Sequence, residues 1–177
     1  MGRQSVWLSL ALVLIAGCAQ LQTKVPEDVE FDLSGRLAAR YGKDAFSGNI
    51  AWRHAKSADE LLITSTLGAG VARIVRDGES VVLTTAEPRE YRAHDAEALT
   101  EEVLGFRLPL AGLADWVRGR PSDQAAAKAD YDEQGRLRSL EERGWKIDYQ
   151  EYDGKLPSRL RLTYPDIELR LAISKWQ

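Results

Sequence analysis

Strict alternation is the feature that most limits what this chain can fold into. From Phe31 onward, Phe31, Leu33, Gly35, Leu37, Ala39 and Tyr41 are apolar or small, while Asp32, Ser34, Arg36 and Arg40 stand opposite. Only a β-strand puts successive side chains on opposite faces, so a half-buried strand is predicted. Phe46, Gly48, Ile50 and Trp52 repeat the pattern against Ser47, Asn49 and Arg53. Shorter runs over 60–66, 71–76 and 80–85 are rich in β-branched residues, with turn signals at Leu67-Gly68-Ala69-Gly70 and Asp77-Gly78 between them. Such a succession predicts an antiparallel meander. Alternation returns at Trp145, Ile147 and Tyr149, then Leu160, Leu162 and Tyr164, then Ile167, Leu169, Leu171 and Ile173.

The period changes between these two groups. Asp95 is placed to cap a helix over 96–104, where Ala96, Leu99 and Val103 recur at helical spacing and Gly105 suits the end. Pro109 opens a second helix with Leu110, Leu113, Trp116 and Val117 on one stripe, closed by Gly119 and Pro121. The expectation is a mainly β, α+β chain with about nine or ten strands around a helical insert. A sheet with one apolar face must curl or stack to bury it. An unclosed antiparallel barrel with the helices across its mouth satisfies that need. Trp52, Trp116, Trp145 and Trp176 either form an ordinary core or wall a lipid-sized cavity.

The first residues read as an address. Met1-Gly2-Arg3 precedes an apolar run from Val6 to Ile15, about half of the roughly 20 residues that span a bilayer. That is a signal-peptide core rather than a membrane anchor. Ile15-Ala16-Gly17 then leads to Cys18, the single cysteine, in an arrangement that resembles the bacterial lipobox. An incidental cysteine after an ordinary signal peptide is the alternative. With lipidation at Cys18, residues 1–17 are a removable signal peptide, 18–30 a lipidated N-terminus and tether, and 31–177 one globular domain. Loss of Arg3 takes the formal net charge from −3 to −4. Ala19 and Gln20 follow the cysteine without an aspartate in the second position, as in lipoproteins sent on to the outer membrane. Two or three acyl chains, at about 0.8 kcal/mol per methylene, hold such a chain at a membrane.

Catalytic and cofactor motifs are missing. His54 and His94 stand apart, with no H-E-x-x-H and no second thiol, so a zinc site has no support. No G-x-S-x-G elbow surrounds a serine. Glu101-Glu102 and Glu141-Glu142 are adjacent pairs whose side chains point apart, and a solvated face is expected for them. Gly68-Ala69-Gly70 lacks the third glycine of a nucleotide loop, since Arg73 stands in its place. A net charge of −3 argues against nucleic acid. Arg136, Arg138, Arg159 and Arg161 recur at every second position on strands, and either contact phosphate head groups or form a polar strand face.

Several ordered segments together resemble the LolB family of outer-membrane lipoprotein receptors. They are Phe31-Asp32-Leu33-Ser34-Gly35-Arg36, Phe46 with Trp52, and Leu61-Leu62-Ile63-Thr64-Ser65-Thr66-Leu67-Gly68. Further matches are Tyr91-Arg92-Ala93-His94-Asp95-Ala96-Glu97, Leu108-Pro109-Leu110, Leu113, Trp116, Gly119, Pro121, Gly144-Trp145-Lys146-Ile147, Tyr149, Tyr152, Pro157 and Trp176. The resemblance implies a half-barrel whose α-helical lid encloses a hydrophobic cavity. Candidate lining residues are Leu33, Leu37, Ile50, Trp52, Leu61 and Ile63 in the first half. Trp116, Trp145, Ile147, Tyr149, Leu160, Leu162, Leu169 and Leu171 line it in the second.

It also implies a non-enzymatic receptor that accepts acylated lipoproteins from the periplasmic carrier LolA and inserts them into the inner leaflet of the outer membrane. No cofactor or metal is implied beyond the diacylglyceryl and N-acyl groups on Cys18. The implied partners are LolA, lipoprotein cargo and outer-membrane lipid, with no nucleic acid and a monomeric chain. Leu67, with Gly68, matches the family's protruding leucine, which assists delivery to the bilayer. Thr66 departs from the proline that commonly precedes that leucine. A structural lipoprotein scaffolding an envelope complex would fit the same strands with a filled core, and an envelope hydrolase with a triad dispersed along the chain is a further alternative.

Overall fold

The computed structural model describes residues 28–177, so the expectations for the signal peptide and Cys18 lie outside the described residues. Six strands come first: β1 (Val29–Tyr41), β2 (Asp44–Ala55), β3 (Ala58–Ser65), β4 (Gly70–Asp77), β5 (Ser80–Thr85) and β6 (Glu90–Ala93). Helices α1 (Ala96–Leu104) and α2 (Leu110–Trp116) follow. The chain finishes with β7 (Lys128–Tyr131), β8 (Leu137–Glu142), β9 (Trp145–Asp153), β10 (Leu156–Tyr164) and β11 (Ile167–Trp176).

All described neighbours in the single 11-stranded sheet are antiparallel, in the order β6-β5-β4-β3-β2-β1-β11-β10-β9-β8-β7. The first meander runs out to one edge and the second returns to the middle, where β11 pairs with β1. The edge strands β6 and β7 are not neighbours, so the barrel is unclosed. Both helices lie in the connection between those two edges. The expected architecture is therefore the observed one.

Alternation undercounted the strands. There are eleven among the described residues rather than nine or ten, because β6 and β7 have only four residues each and carry too little pattern. In β8 the buried positions are Leu137, Leu140 and Glu142, so the inward phase slips within the strand. The expectation that Arg136 continues a strand row is also corrected. Arg136 sits in the turn before β8, hydrogen-bonded to Asp132 and stacked over Tyr152 at 4.6 Å.

Two glycines permit the sheet to bend. A Cβ on Gly35 would lie 2.2 Å from the Ala172 carbonyl oxygen, and one on Gly48 would lie 2.1 Å from that of Thr64. Gly35 also marks a register shift between β1 and β11. Glycine inside a strand is used where another backbone approaches closely. Both positions fall in the inward phase, so the same alternation that built the core leaves out a side chain where a neighbouring backbone comes close.

The helices form as their ends specify. The Asp95 carboxylate accepts from the backbone N–H groups of Glu97 (2.8 Å) and Ala98 (3.2 Å), satisfying donors that the first turn leaves unpaired. Gly105 takes the left-handed conformation (φ 80°) and its N–H closes back on Glu101. Pro109 is the N-cap of α2, and all of Leu110, Leu113, Trp116 and Val117 are buried.

Candidate functional site

The inward face of the sheet and the lid helices form one apolar cluster. Every candidate lining residue is in it: Leu33, Leu37, Ile50, Trp52, Leu61, Ile63, Trp116, Trp145, Ile147, Tyr149, Leu160, Leu162, Leu169 and Leu171. Tyr149, at 8%, is the most exposed of them. Leu99, Phe106, Leu108, Leu110 and Leu113 come down from the helices and their connection and are buried in the same cluster. These side chains are buried together on the inner side of the sheet.

The two helices are seated unequally. Of α2, five of seven residues are buried, whereas α1 buries only Leu99 and Thr100. Four contacts anchor the end of α2 and the residues just after it. The Tyr149 hydroxyl donates to the Trp116 carbonyl at 3.0 Å, and the Trp116 indole N–H donates to Glu142 at 2.7 Å. Arg118 pairs with Glu30 at 2.5 Å and lies over the Phe31 ring at 5.3 Å. Burial drives the Tyr149 hydroxyl far above the ordinary phenol range, with the nearby Tyr152 and Glu142 adding to the shift, so it remains a donor. Beside α1, a depression of about 610 Å³ runs between Val103 and the tips of β4 to β6 at Val71, Thr85 and Tyr91. Gly70, on its rim, lies just after the Leu67 turn.

Two buried carboxylates hold the tryptophan indoles. Asp59 accepts from Trp52 Nε1 (2.8 Å), from Arg76 Nε (2.5 Å) and from His54 Nδ1 (2.6 Å). A carboxylate only accepts, so the His54 proton resides on Nδ1. Burial pushes the Asp59 carboxyl up, but the His54 and Trp52 hydrogen bonds and the Arg76 charge outweigh it and leave it below the ordinary value. Glu142 is treated likewise: burial raises it, and hydrogen bonds from Ser122, Trp116 and Asp123 together hold it low. The expectation of a solvated face is thus corrected at Glu142, which is 3% exposed. The remaining nitrogen of His54 faces Glu30 at 3.9 Å, where a hydrolytic triad would need a hydroxyl.

Asp59, Glu142 and His54 were missed as structural residues, although one signal marked two of them. Asp59 shares the inward phase of Leu61 and Ile63, and His54 that of Ile50 and Trp52. A polar side chain in an apolar phase must find partners. Glu142 carried no such sign because the phase of β8 slips before it.

Leu67 is 96% exposed. It sits in a three-residue hairpin loop, Thr66-Leu67-Gly68, in which Gly68 takes the left-handed conformation (φ 86°) that such loops require. Ser65 fixes the turn: its carbonyl accepts from Gly68 N–H (2.9 Å), its N–H donates to the Ala69 carbonyl (2.8 Å), and its hydroxyl accepts from Ala69 N–H (3.2 Å). These bonds restrain the loop without a proline at Thr66.

The family model described as "Outer membrane lipoprotein LolB" matches residues 29–176. Curated relatives named outer-membrane lipoprotein LolB include those of three bacteria. That of Nitrosomonas europaea is 38% identical, covering 97% of this chain and 91% of the relative. That of Thiobacillus denitrificans is 39% identical, covering 100% and 98%. That of Chromobacterium violaceum is 34% identical, covering 99% and 99%. A crystal structure of a LolA superfamily protein from Nitrosomonas europaea aligns at 12% identity with a TM-score of 0.48, covering 86% of this chain and 87% of that one. The chain belongs to the LolB family of outer membrane lipoproteins.

Proposed function

We propose that this chain, an outer-membrane lipoprotein acting in lipoprotein localisation, takes acylated lipoproteins from the soluble carrier LolA and passes their acyl chains into the bilayer that holds it. The single observation that carries this reading is the continuous apolar face of the half-barrel, covered by a helix, α1, that buries only Leu99 and Thr100. Exposing three acyl chains of about fifteen methylenes would cost on the order of 30 kcal/mol, so a handoff between apolar interiors avoids a prohibitive intermediate. Direction requires only a difference in affinity, each 1.4 kcal/mol being about tenfold.

Chain entry needs the apolar cluster to open, and Phe106 and Leu108, buried in it from the connection between the helices, are the side chains that withdraw. α1 and the connection after it form the movable part, while α2 stays on Tyr149 and Glu142. The depression beside Val103 leads from the lid edge toward the Leu67 turn, which sets the exit next to the residue that meets the membrane. Leu67, exposed and flanked by small residues, enters the acyl region with little else to desolvate. Family membership favours this receptor role over a scaffold with a permanently filled core. The test is transfer of a radiolabelled lipoprotein from its carrier to the purified protein. Label moving onto this chain without nucleotide is expected, and label staying on the carrier would refute the role.

A further inference from the structure

Two of the arginines singled out by their spacing, Arg159 and Arg161, meet Arg170 of the next strand and Arg36, which the sequence leaves far away. On the outer face of the sheet, one cross-strand row reads Arg161, Arg170, Ala38, Ser47. The next row reads Arg159, Ala172, Arg36, Asn49. Four guanidinium groups thus surround a floor of two alanines, and the depression between them has a volume of about 480 Å³. This is an unexpected concentration of positive charge in a chain of net charge −3.

The arrangement is costly as it stands. Arg161 and Arg170 are directly opposite on neighbouring strands, and like charges so placed repel. Three carboxylates relieve them from the sides: Glu151 on Arg159 (2.7 Å), Asp148 on Arg161 (3.2 Å) and Glu168 on Arg170 (2.8 Å). Arg36 has no carboxylate within 4.0 Å among the described residues, and the buried Nε of Arg161 has no acceptor there. Each guanidinium carries five N–H donors in a planar fork suited to phosphate oxygens. The Ala38–Ser47 pair lies one position from the Gly48–Ser65 pair at the base of the Leu67 hairpin, so the depression is near the end of the sheet that carries that loop.

We propose that this outer depression binds the phosphodiester of an anionic phospholipid head group, with Arg36, Arg161 and Arg170 as its donors. It is separated by the sheet from the acyl-binding interior and does not depend on it. The bound phosphate lies between Arg161 and Arg170 and removes their repulsion. Seated there, a head group orients the half-barrel against the bilayer while Leu67 dips in.

The experiment uses the full-length, lipid-anchored chain in detergent, titrated calorimetrically with glycerophosphoglycerol, a deacylated head group that does not enter micelles. Saturable binding at one site is expected, weakened at least tenfold in Arg36→Gln/Arg161→Gln. Arg170→Lys, which keeps the charge but loses the fork, is expected to bind more weakly than the parent and guards against a misfolded double variant. Inorganic phosphate is the second arm. If it binds as tightly as glycerophosphoglycerol, the site is for a free anion and the head-group assignment falls. Absence of saturable binding, or equal binding by folded variants, overturns the site itself. Acceptance of lipoprotein from the carrier is measured on the same variants and is expected to be unchanged, so failure of the receptor role would be visible separately.

Discussion

Replacing Glu142 by glutamine probes how the lid is held. Four donors converge on this carboxylate: Trp116 Nε1 (2.7 Å) and Ser122 N (3.0 Å) on one oxygen, Ser122 Oγ (2.5 Å) and Asp123 N (2.6 Å) on the other. A carboxamide keeps one acceptor oxygen and presents an NH2 where the second stood. Whichever way it turns, at least one N–H that cannot rotate faces another donor, and the Ser122 hydroxyl alone can reverse. An unsatisfied buried donor costs about 1–3 kcal/mol, and the surviving bonds lose their charge assistance. The expected destabilisation of Glu142→Gln at pH 7 is therefore about 2–4 kcal/mol. With a urea dependence of about 1–3 kcal/mol/M, the midpoint falls by about 1–2 M.

The pH dependence gives a second reading. The Glu142 carboxyl is held below its ordinary value, so its contribution is complete above the unfolded pKa of about 4.3 and is lost as pH falls through the folded one. The gap between parent and variant should narrow as the solution is acidified past that point. Urea denaturation followed by tryptophan fluorescence, repeated across acidic pH, measures both. A variant within about 0.5 kcal/mol of the parent at pH 7, or a gap that ignores acid, would refute the claim that this carboxylate anchors Trp116 and α2.

Two other perturbations address membrane contact. Leu67 touches nothing in the folded chain, so Leu67→Asp should leave stability within about 0.5 kcal/mol of the parent. It should still accept lipoprotein but deliver it to liposomes roughly ten- to a hundredfold more slowly, since burying a leucine contributes about 1.5–3 kcal/mol. Unchanged delivery would remove Leu67 from the insertion step. Cys18→Ala should leave the fold intact and move the protein to the soluble fraction; its recovery with membranes would count against a lipid anchor at this position.

Sheet and lid were legible because local periodicity is a direct image of burial. Period two in 31–52 and 145–173 marked the strands, the change of period marked α1 and α2, and Asp95 and Gly105 marked the ends of α1. That the candidate lining residues face inward was legible for the same reason, as each occupies the buried phase of a strand or the inner stripe of α2. Short edges and slipped phases were not, which is why β6 and β7 escaped and the inward face of β8 could not be read. The three tightly bonded polar residues were only partly visible. Alternation shows that Asp59 and His54 point inward, but not that Trp52, Arg76 and each other await them there.

What the sequence alone determined is which face of each strand turns inward, where the helices begin, and that one leucine stands in a tight turn after β3. These follow from properties of neighbours along the chain. Tertiary structure decided everything that depends on which strands become adjacent. It closed β1 onto β11, brought Glu142 beneath Trp116, and placed Arg36 beside Arg159, Arg161 and Arg170. The physical reason is that pairing register is set by the whole curled sheet and its buried face rather than by any local run.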